Sequence, residues 1–352
     1  MVTHTTQAIV ITNFLEPLAA GQQGFSTIML VVDQATNTLN GARTVEYSSK
    51  DEISTAETSG HISAATSTLA KVMFDQVPIP SSVKVGRVDT GGGETWAQGY
   101  AAIKAADPDF YGVVSATRTV ADAASLANAV NSDTDGRVCI VQSSDTDLLT
   151  ATIPSEFSSI SNPERVVVLF HDTNAQALGE GYASAWLSWD PDEKAVGTVR
   201  RVRGVEPYAT DITLTQYNQA LANNVNIAAP FSSAQTFIRE GVALSGRPAY
   251  QVLTADWFKA RVREDVAAVK LAASDRGDRI PVSEVGQQLI VGTVVARGRR
   301  GEDAGHFVRD SVICTPYAIT DADKAANRLR FRVEGTYALD ATNFAFDIYY
   351  GT

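Results

Sequence analysis

Cysteine and histidine are scarce in this chain, which limits the chemistry that it can support. The 352 residues include two cysteines, Cys139 and Cys314, and four histidines. Two cysteines cannot form the disulfide framework of a small secreted domain. Both lie in apolar, strand-like segments, so we expect buried free thiols and synthesis in a reducing compartment. No two histidines have the spacing of metal ligands on a helix, and the sequence has no Cys/His cluster, which excludes a structural zinc site.

Long apolar runs and an excess of basic residues are also missing. No run approaches the roughly 18 residues that a membrane span needs. We expect no signal peptide, because no basic leader precedes an apolar segment near the first residue. The net charge is −11, from 29 Lys/Arg and 40 Asp/Glu, and this argues against nucleic-acid binding through bulk electrostatics.

The charge is unevenly distributed along the chain. Residues 255–352 carry 14 basic and 14 acidic side chains, so the whole acidic excess lies in residues 1–254. Two interpretations are open: the C-terminal part faces charged protein partners, or the difference is ordinary surface variation.

Both ends of the chain carry the pattern of a β-strand. The C-terminal segment alternates apolar and other residues with a period of two, and the N-terminal segment is a short apolar run. The apolar residues are Ile9, Val10 and Ile11 near one end and Phe344, Phe346, Ile348 and Tyr350 at the other. An unpaired apolar strand promotes aggregation. These strands therefore pair either with each other in one molecule or with the sheets of neighbouring subunits.

Between these ends, predicted strands and helices alternate, which indicates βαβ units and a largely parallel sheet. The predicted strands are 27–33, 45–47, 83–88, 110–115, 138–142 and 165–171, and the predicted helices are 64–75, 95–106, 121–131 and 175–187. Segment 165–171 is apolar almost throughout, as expected of an inner strand that is covered on both faces. The fold class is therefore α/β to α+β, in more than one domain, with a mixed core domain near the chain ends.

The last third of the chain has a different pattern. Residues 190–254 show little periodicity and are interpreted as a connecting region. Long helices are predicted at 256–273 and 284–297, followed by a basic loop at 297–301 and by strands at 327–335 and 341–350.

Two segments carry residue types found in catalytic sites. The sequence Asp89-Thr-Gly-Gly resembles one loop of an aspartic protease, but no second Asp-Thr-Gly or Asp-Ser-Gly exists to complete the pair, so a strand-to-helix turn is predicted. His171 and Asp172 follow the inner strand, where sites of α/β proteins form. No nucleophile or metal ligand accompanies them, so a hydrogen-bonded histidine is favoured. The alternative is an α/β hydrolase-like or ligand-binding protein with a site at this pair.

The layout of residues 210–352 resembles the contractile tail sheath protein of a bacteriophage or of a related phage-tail-like particle. Residues 30–190 match only as the variable α/β part of such proteins. The segments that carry the resemblance are Thr213-Leu-Thr-Gln-Tyr217, Leu221-Ala-Asn-Asn-Val-Asn226, Gly241–Gly246, the helix that begins near Trp257, Ile280-Pro281 with Gly286, and the strand pair Leu329–Glu334 and Phe344–Tyr350.

The resemblance implies a structural subunit of the virion tail, assembled in the host cytoplasm, with no enzymatic activity and no cofactor. Sheath subunits form stacked hexameric rings around an inner tail tube protein, between baseplate and tail terminator proteins, and they neither bind nucleic acid nor insert into a membrane. Contraction drives the tube through a cell envelope. A tube or baseplate protein is disfavoured, because a tube protein is usually smaller and dominated by β-structure.

The resemblance also implies a domain organisation and contact residues. Arms that complete sheets in neighbouring subunits would be 1–24 and 341–352, with an outer α/β domain at 25–207 and a core domain at 208–340. The apolar residues of the two terminal strands would be the inter-subunit residues. Basic residues of the net-neutral C-terminal part are predicted to face the tube, namely Arg297, Arg299, Arg300, Arg328, Arg330 and Arg332.

Overall fold

The computed structural model describes residues 7–9, 24–34, 39–197, 200–208, 212–230 and 236–339. The chain divides into two compact units. The smaller unit comprises residues 1–23, 190–195 and 253–339, and the larger unit comprises residues 24–189, 196–252 and 340–352.

The described residues form twelve β-strands and ten α-helices. The strands are β1 (Gln7–Ile9), β2 (Ile28–Asp33), β3 (Thr44–Tyr47), β4 (Val83–Val88), β5 (Gly112–Ser115), β6 (Val138–Ser143), β7 (Val166–Phe170), β8 (Arg200–Val202), β9 (Asn226–Pro230), β10 (Thr236–Ile238), β11 (Ile313–Pro316) and β12 (Phe331–Gly335). The helices are α1 (Lys50–Thr58), α2 (Ala64–Met73), α3 (Trp96–Ala106), α4 (Val120–Asn131), α5 (Ser155–Ser158), α6 (Leu178–Leu187), α7 (Leu214–Ala222), α8 (Ala249–Asp275), α9 (Glu284–Asp303) and α10 (Asp321–Ala325). Within the described ranges, no helix is both long and apolar enough to cross a membrane.

The larger unit is built on a nine-stranded sheet in the order β3-β4-β2-β5-β6-β7-β9-β10-β8. The six strands from β4 to β9 in this order run parallel, and β3, β10 and β8 are antiparallel additions at the two sides. The largely parallel sheet predicted from the alternation of strands and helices is confirmed. The fold class, a mixed α/β protein of more than one unit, is confirmed with it.

The inner strands are buried along their whole length. All five residues of β7 and all six of β6 are buried, so the apolar segment at 165–171 is an inner strand, as predicted. Cys139 lies within β6 and Cys314 within β11, and both are buried free thiols, which confirms that prediction. Burial raises the pKa of both thiols, that of Cys314 to about 11.

Ion pairs fix one end of this sheet around Asp133, which follows α4. The Asp133 carboxylate accepts hydrogen bonds from the Nζ of Lys104 at 2.6 Å, from the guanidinium of Arg137 at 2.6 Å and from the Tyr100 hydroxyl. Burial by itself raises the pKa of Asp133, but these hydrogen bonds outweigh it and lower the pKa to about 2. Arg137 also donates to the Phe110 carbonyl at 3.0 Å, so the cluster ties α3 and α4 to the segments before β5 and β6.

The smaller unit combines an antiparallel sheet in the order β1-β12-β11 with α9, α10 and most of α8. Its core is aromatic: the Phe258 and Phe307 rings meet edge to face at 5.2 Å, and Trp257 stacks on His306 at 4.5 Å. Two glycines let α9 approach this core closely. A Cβ at Gly298 would lie 2.6 Å from Val312, and one at Gly301 would lie 2.9 Å from Phe307.

Two predictions about the C-terminal part differ from the structure, and a third is covered only in part. The basic loop at 297–301 is wrong, because α9 continues to Asp303. The glycines that suggested a loop are the residues whose missing side chains allow the close packing of α9. The connecting region at 190–254 is also wrong, since it contains β8, α7, β9 and β10 and the start of α8. Strands of three to five residues and a nine-residue helix are too short to establish a clear period. The closing strand pair is described only in part: β12 covers 331–335, and 341–350 lies outside the described residues.

The two compact units also divide the chain differently from the predicted domains. Residues 208–252 group with the larger unit rather than with residues 253–339, because β9 pairs with β7 and extends the nine-stranded sheet. The predicted organisation as two arms, an outer domain and a core domain stays a prediction.

Two glycines of α6 provide a test of how this helix packs in the larger unit. A Cβ at Gly181 would lie 2.4 Å from the Cγ1 of Val202, whereas the nearest atom to a Cβ at Gly179 would be 3.5 Å away. We expect Gly181→Ala to lower the free energy of unfolding by about 1–3 kcal/mol through overpacking. Gly179→Ala is the matched control and should be neutral or stabilising by up to about 1 kcal/mol. Equal denaturation midpoints for the two variants would contradict this packing.

Candidate functional site

A cleft of about 610 Å³ lies at the carboxyl ends of β2, β4 and β5. Strand β2 lies between β4 and β5, so the strand order reverses its direction at this point of the sheet. Ligands of α/β proteins usually bind at such a point. The described lining is rich in hydroxyl groups and includes three carboxylates but no Lys, Arg, His or Cys. Its polar residues are Ser63, Thr66, Thr90, Thr95, Thr117, Thr119, Ser125, Asp33, Glu94 and Asp122.

Two of the cleft carboxylates are held by neighbouring groups. The Glu94 carboxylate accepts two hydrogen bonds from Arg43, at 2.8 and 3.0 Å, and one from the Asp89 backbone at 2.9 Å. The hydrogen bonds from Arg43 hold the pKa of Glu94 below its ordinary value. Asp33 accepts a hydrogen bond from the Thr90 hydroxyl at 2.6 Å. These contacts fix both carboxylates in position, and the lowered pKa of Glu94 makes that group a poor proton acceptor.

The segment Asp89-Thr-Gly-Gly forms the turn that the sequence predicts. Thr90–Gly92 is a short 3₁₀ turn, and the Asp89 carboxylate accepts the Gly92 N–H at 3.0 Å. Gly93 follows with a φ of 87°, in the left-handed region that favours glycine. Helix α3 then begins with a capping box between Thr95 and Gln98.

His171 is a buried residue whose ring nitrogens both bind backbone groups. Its Nε2 lies 2.9 Å from the Glu206 carbonyl, and its Nδ1 accepts the Thr173 N–H at 3.0 Å. Nδ1 also lies 3.1 Å from the Asp172 carboxylate, so both ring nitrogens are engaged within the chain. A general base needs a nitrogen directed at the group it deprotonates. The contacts of His171 instead join the end of β7 to residue 206, which agrees with the hydrogen-bonded histidine that the sequence favours.

A second polar pair occupies the same edge of the sheet and was missed by the sequence analysis. Arg118 donates to both oxygens of Glu180, at 3.0 and 2.9 Å, and to the Ser115 carbonyl at 2.8 Å, and Glu180 is fully buried. Beside them, Gln142 binds the Gln176 carbonyl at 2.9 Å. A glutamate in the otherwise apolar helix 178–187 was the available signal, because a charge in such a helix requires a partner.

In the smaller unit, Arg297 lies inside the structure rather than on a surface. Its guanidinium binds the Asp265 carboxylate at 2.7 and 2.9 Å and approaches Asp192 at 3.3 Å. Asp192 also binds Arg261 at 2.6 Å. The hydrogen bond that Arg297 donates to Asp265 is the main reason that the pKa of Arg297 is raised. Arg297 thus joins α8 and α9 within one chain, and its predicted contact with a tube protein stays a prediction.

Arg299 and Arg300, by contrast, are exposed near the end of α9. Within the described residues, no hydrogen bond or ion pair holds either side chain. The exposed side of α9 also carries Val285, which is 73% exposed, and Leu289, which is 46% exposed. We call this surface, together with the exposed Gly292 and Ala296, the α9 face. The side chains of this face are apolar or small along the first turns of α9 and basic near the end of the helix.

The other three predicted arginines lie around β12. The Asp323 carboxylate binds the Nε of Arg328 at 2.7 Å and the Nη2 of Arg330 at 2.9 Å, and Arg332 pairs with Glu334 at 2.6 Å. A hydrogen bond from the Thr320 hydroxyl at 2.6 Å is the main reason that the pKa of Asp323 lies far below its usual range. Asp323 therefore holds two partly exposed arginines in fixed positions.

The N-terminal strand is described for three residues. Strand β1 pairs with β12 of the same chain, with Gln7 opposite Gly335, Ala8 opposite Glu334 and Ile9 opposite Val333. The other predicted arm residues lie outside the described residues, namely Val10, Ile11, Phe344, Phe346, Ile348 and Tyr350. Their exchange between subunits stays a prediction.

Comparison with known proteins identifies the fold. No protein-family model matches the chain, and no curated protein matches its sequence. Solved structures do match over nearly the whole chain. One is the helical sheath of the anti-feeding prophage in its contracted state, with a TM-score of 0.63, 11% identity and coverage of 97% of this chain and 97% of that chain.

Two further sheath structures agree with this match. The sheath complex of an extracellular contractile injection system, PVC, in its contracted state gives a TM-score of 0.61 at 12% identity and covers 100% of this chain and 99% of that chain. A sheath tail protein from Listeria innocua gives a TM-score of 0.58 at 11% identity and covers 91% and 96%. The chain thus has the fold of contractile tail sheath proteins, and the resemblance noted in the sequence is confirmed at the level of the fold.

The different positions of Arg297 and Arg300 lead to a stability test. Arg297→Ala would leave Asp265 without its main partner inside the smaller unit, and we expect it to lower the free energy of unfolding by about 3 kcal/mol. Arg300→Ala, which removes an exposed arginine from the same helix, should change it by less than about 0.5 kcal/mol. Chemical denaturation of both variants measures the difference. A near-neutral Arg297→Ala would mean that its ion pairs do not stabilise the fold.

His306 makes the smaller unit sensitive to pH. Its Nε2 lies 2.6 Å from the Pro191 carbonyl and its Nδ1 lies 2.9 Å from the Thr254 hydroxyl, and burial lowers the pKa of the ring below 6.5. Because the unfolded chain then binds the proton more readily than the folded chain, stability is complete above about pH 6.5 and declines as the pH falls below it. We expect His306→Gln to reduce this decline, as measured by the denaturation midpoint between pH 7.5 and 5. An identical pH profile for the variant and the parent would count against this assignment.

Proposed function

We propose that this protein is a structural subunit of a contractile tail sheath, which polymerises around an inner tail tube and contracts to drive the tube through a cell envelope. The observation that carries the proposal is the extent of the structural match. It covers 91–100% of this chain and 96–99% of each of three sheath chains. A match of this extent includes both compact units and not only the parallel sheet, which occurs in many unrelated proteins.

The contacts at the carboxyl edge of the large sheet support a structural role. His171, Glu180, Glu94 and Gln142 each bind groups of the same chain. Side chains that are engaged in this way stabilise the loops between strands and helices. No observation favours the hydrolase-like alternative at His171 and Asp172, and we do not propose it.

The partners that we propose follow from the sheath assembly. The main partner is a second copy of this chain, in hexameric rings that stack helically. The inner tail tube protein would lie inside the rings, and baseplate and tail terminator proteins would bind at the two ends. The location would be the tail of a phage or phage-like particle, assembled in the host cytoplasm.

The α9 face is the surface that we assign to the inner tube. It combines exposed Val285 and Leu289 with Arg299 and Arg300, whose charges are available to acidic groups of a partner. Interfaces of this kind bury an apolar centre and surround it with charged groups that fix orientation. Arg328, Arg330 and Arg332 are further candidates for the tube-facing set, whereas the burial of Arg297 argues against including it.

Contraction needs no nucleotide in this proposal. The energy is stored in a metastable extended assembly and is released when contacts between subunits are exchanged for the contacts of the contracted state. The chain would supply a stable core and surfaces that pair in two arrangements.

The first test of the proposal is the state of the purified protein. Electron microscopy of the full-length protein should show tubes or stacked rings, and a truncation that ends at Ala341 should abolish them, because it removes the predicted C-terminal strand. Circular dichroism establishes that the truncated chain is folded. Dispersed particles from both proteins, each with an intact fold, would overturn the sheath proposal.

The second test addresses the α9 face. We expect Arg299→Glu/Arg300→Glu to prevent assembly on purified tubes of the same particle, because it removes two positive charges from the face and adds two negative ones. Lys259→Glu/Lys270→Glu makes the same change in net charge with two exposed lysines of α8 and is the matched control. Cosedimentation with tubes measures the effect. Equal binding by the two variants would remove Arg299 and Arg300 from the tube-facing set.

A further inference from the structure

The β12 strand has two neighbours in the sheet of the smaller unit, and the two neighbours differ in how they are attached. On one side β11 pairs through four residues, from Ile313 opposite Glu334 to Pro316 opposite Phe331. On the other side β1 pairs through three residues, Gln7–Ile9. If β1 were absent, the N–H and C=O groups on that side of β12 would form an open edge.

An open edge of β12 would accept a strand from another molecule. Its sequence alternates, with Val333 only 2% exposed and Arg332 directed to solvent, so an added strand would find one apolar face already formed by the core. Strand edges of this type are templates for pairing unless something covers them. Here the chain's own residues 7–9 cover it.

The competition between a chain's own strand and a neighbour's strand depends on concentration. A strand attached to the same molecule acts at an effective concentration in the millimolar range, far above that of a dilute second copy. Within a ring, a neighbour's strand is held close as well and reaches a similar effective concentration. Fourteen residues lie between Ile9 and Gly24, where the larger unit begins, and a segment of this length spans at most about 50 Å, which sets how far β1 could reach.

We propose that β1 is an autoinhibitory strand, which closes the β12 edge of the free subunit and must leave it before a second copy of this chain can pair there. The inference rests on the proposed sheath function, in which subunits are joined by exchanged strands. The three paired residues that the structure describes suit this role, because a short pairing covers the edge and can be released without unfolding the unit. Exchange of an identical strand between copies is a low-cost route to assembly.

The consequence is control over when the subunit polymerises. In dilute solution free subunits remain separate because the β12 edge of each is already paired, whereas the concentrated protein used for electron microscopy forms rings. Polymerisation begins only where copies are brought together, so that release of one β1 is compensated at once by pairing with the next. The device therefore favours growth on an existing ring over spontaneous aggregation of free chains.

A disulfide between β1 and β12 tests the proposal directly. Ala8 and Glu334 are opposite each other, so their Cα atoms lie within the range of about 4.4–6.8 Å that a disulfide spans. We expect Ala8→Cys/Glu334→Cys to form an intramolecular disulfide in the dilute subunit, seen as a monomer of altered mobility on a non-reducing gel. The oxidised protein should fail to form tubes, and reduction should restore them. The single variants detect any bond to the buried native cysteines.

The matched control locks the other side of β12. Ile313→Cys/Glu334→Cys joins β11 to β12 at a pair that is also directly opposite, shares the Glu334→Cys substitution with the first variant, and leaves the β1 edge free to exchange. This variant should polymerise equally well in its oxidised and reduced forms. If it loses polymerisation on oxidation as well, the effect of the first disulfide is not specific to β1, and the autoinhibitory role is overturned.

The remaining outcomes separate this inference from the sheath proposal. Disulfides that form only between molecules, the absence of any disulfide, or normal polymerisation of the β1-locked subunit would each overturn the autoinhibitory strand. If neither the parent nor the reduced variants form tubes, the sheath proposal fails. The intramolecular bond would still show that β1 closes its own edge.

Discussion

The hydrogen-bonding edge of β12 is the constraint on which this account of the protein depends. A strand with one neighbour exposes a row of backbone groups that must be paired, and in this chain the pairing comes from three residues near the N-terminus. Two features of the smaller unit hold that strand in place. Asp323 fixes the residues before it, and the packing of α9, through Gly298 against Val312, places the sheet against the aromatic core.

The larger unit differs from the smaller one in that its inner strands are buried and the polar groups at the carboxyl edge of its sheet have partners within the unit. The inner strands β6 and β7 are buried along their length, and the carboxyl edge that carries catalytic groups in many α/β proteins is occupied by Arg118, Glu180 and His171. These groups bind each other or the backbone. The unit is therefore suited to act as a rigid body in an assembly, while the smaller unit carries the surfaces that we assign to partners.

The sequence predicted the parallel sheet well and the surroundings of Arg297 poorly, for physical reasons. Buried parallel strands have long apolar runs, so the strand at 165–171 was visible without a structure. The Arg297-Gly-Arg-Arg-Gly sequence was misleading, because glycine serves both to make turns and to allow close packing of a helix, and only the position of Val312 shows which applies. Likewise, no local pattern shows that Arg297 is paired with Asp265, thirty-two residues earlier in the chain.

The short elements between residues 196 and 252 could not be predicted from local sequence patterns. Strand β10 has three residues and is defined by its pairing with β8 and β9, not by its own alternation. The predicted arm residues at 343–352 have the clearest alternation in the chain, yet the sequence does not show which strand they pair with. The fold was therefore accessible from the sequence, whereas the assignment of surfaces required the positions of the side chains.

A cryo-electron microscopy reconstruction of the assembled protein tests the central claim most directly. The account predicts a helical tube built from stacked rings in which the β12 edge of each copy is paired with a strand from a neighbouring copy, and in which the α9 face lines the inside. A closed particle of a few copies, with β1 retained on its own β12 at every concentration, would contradict it.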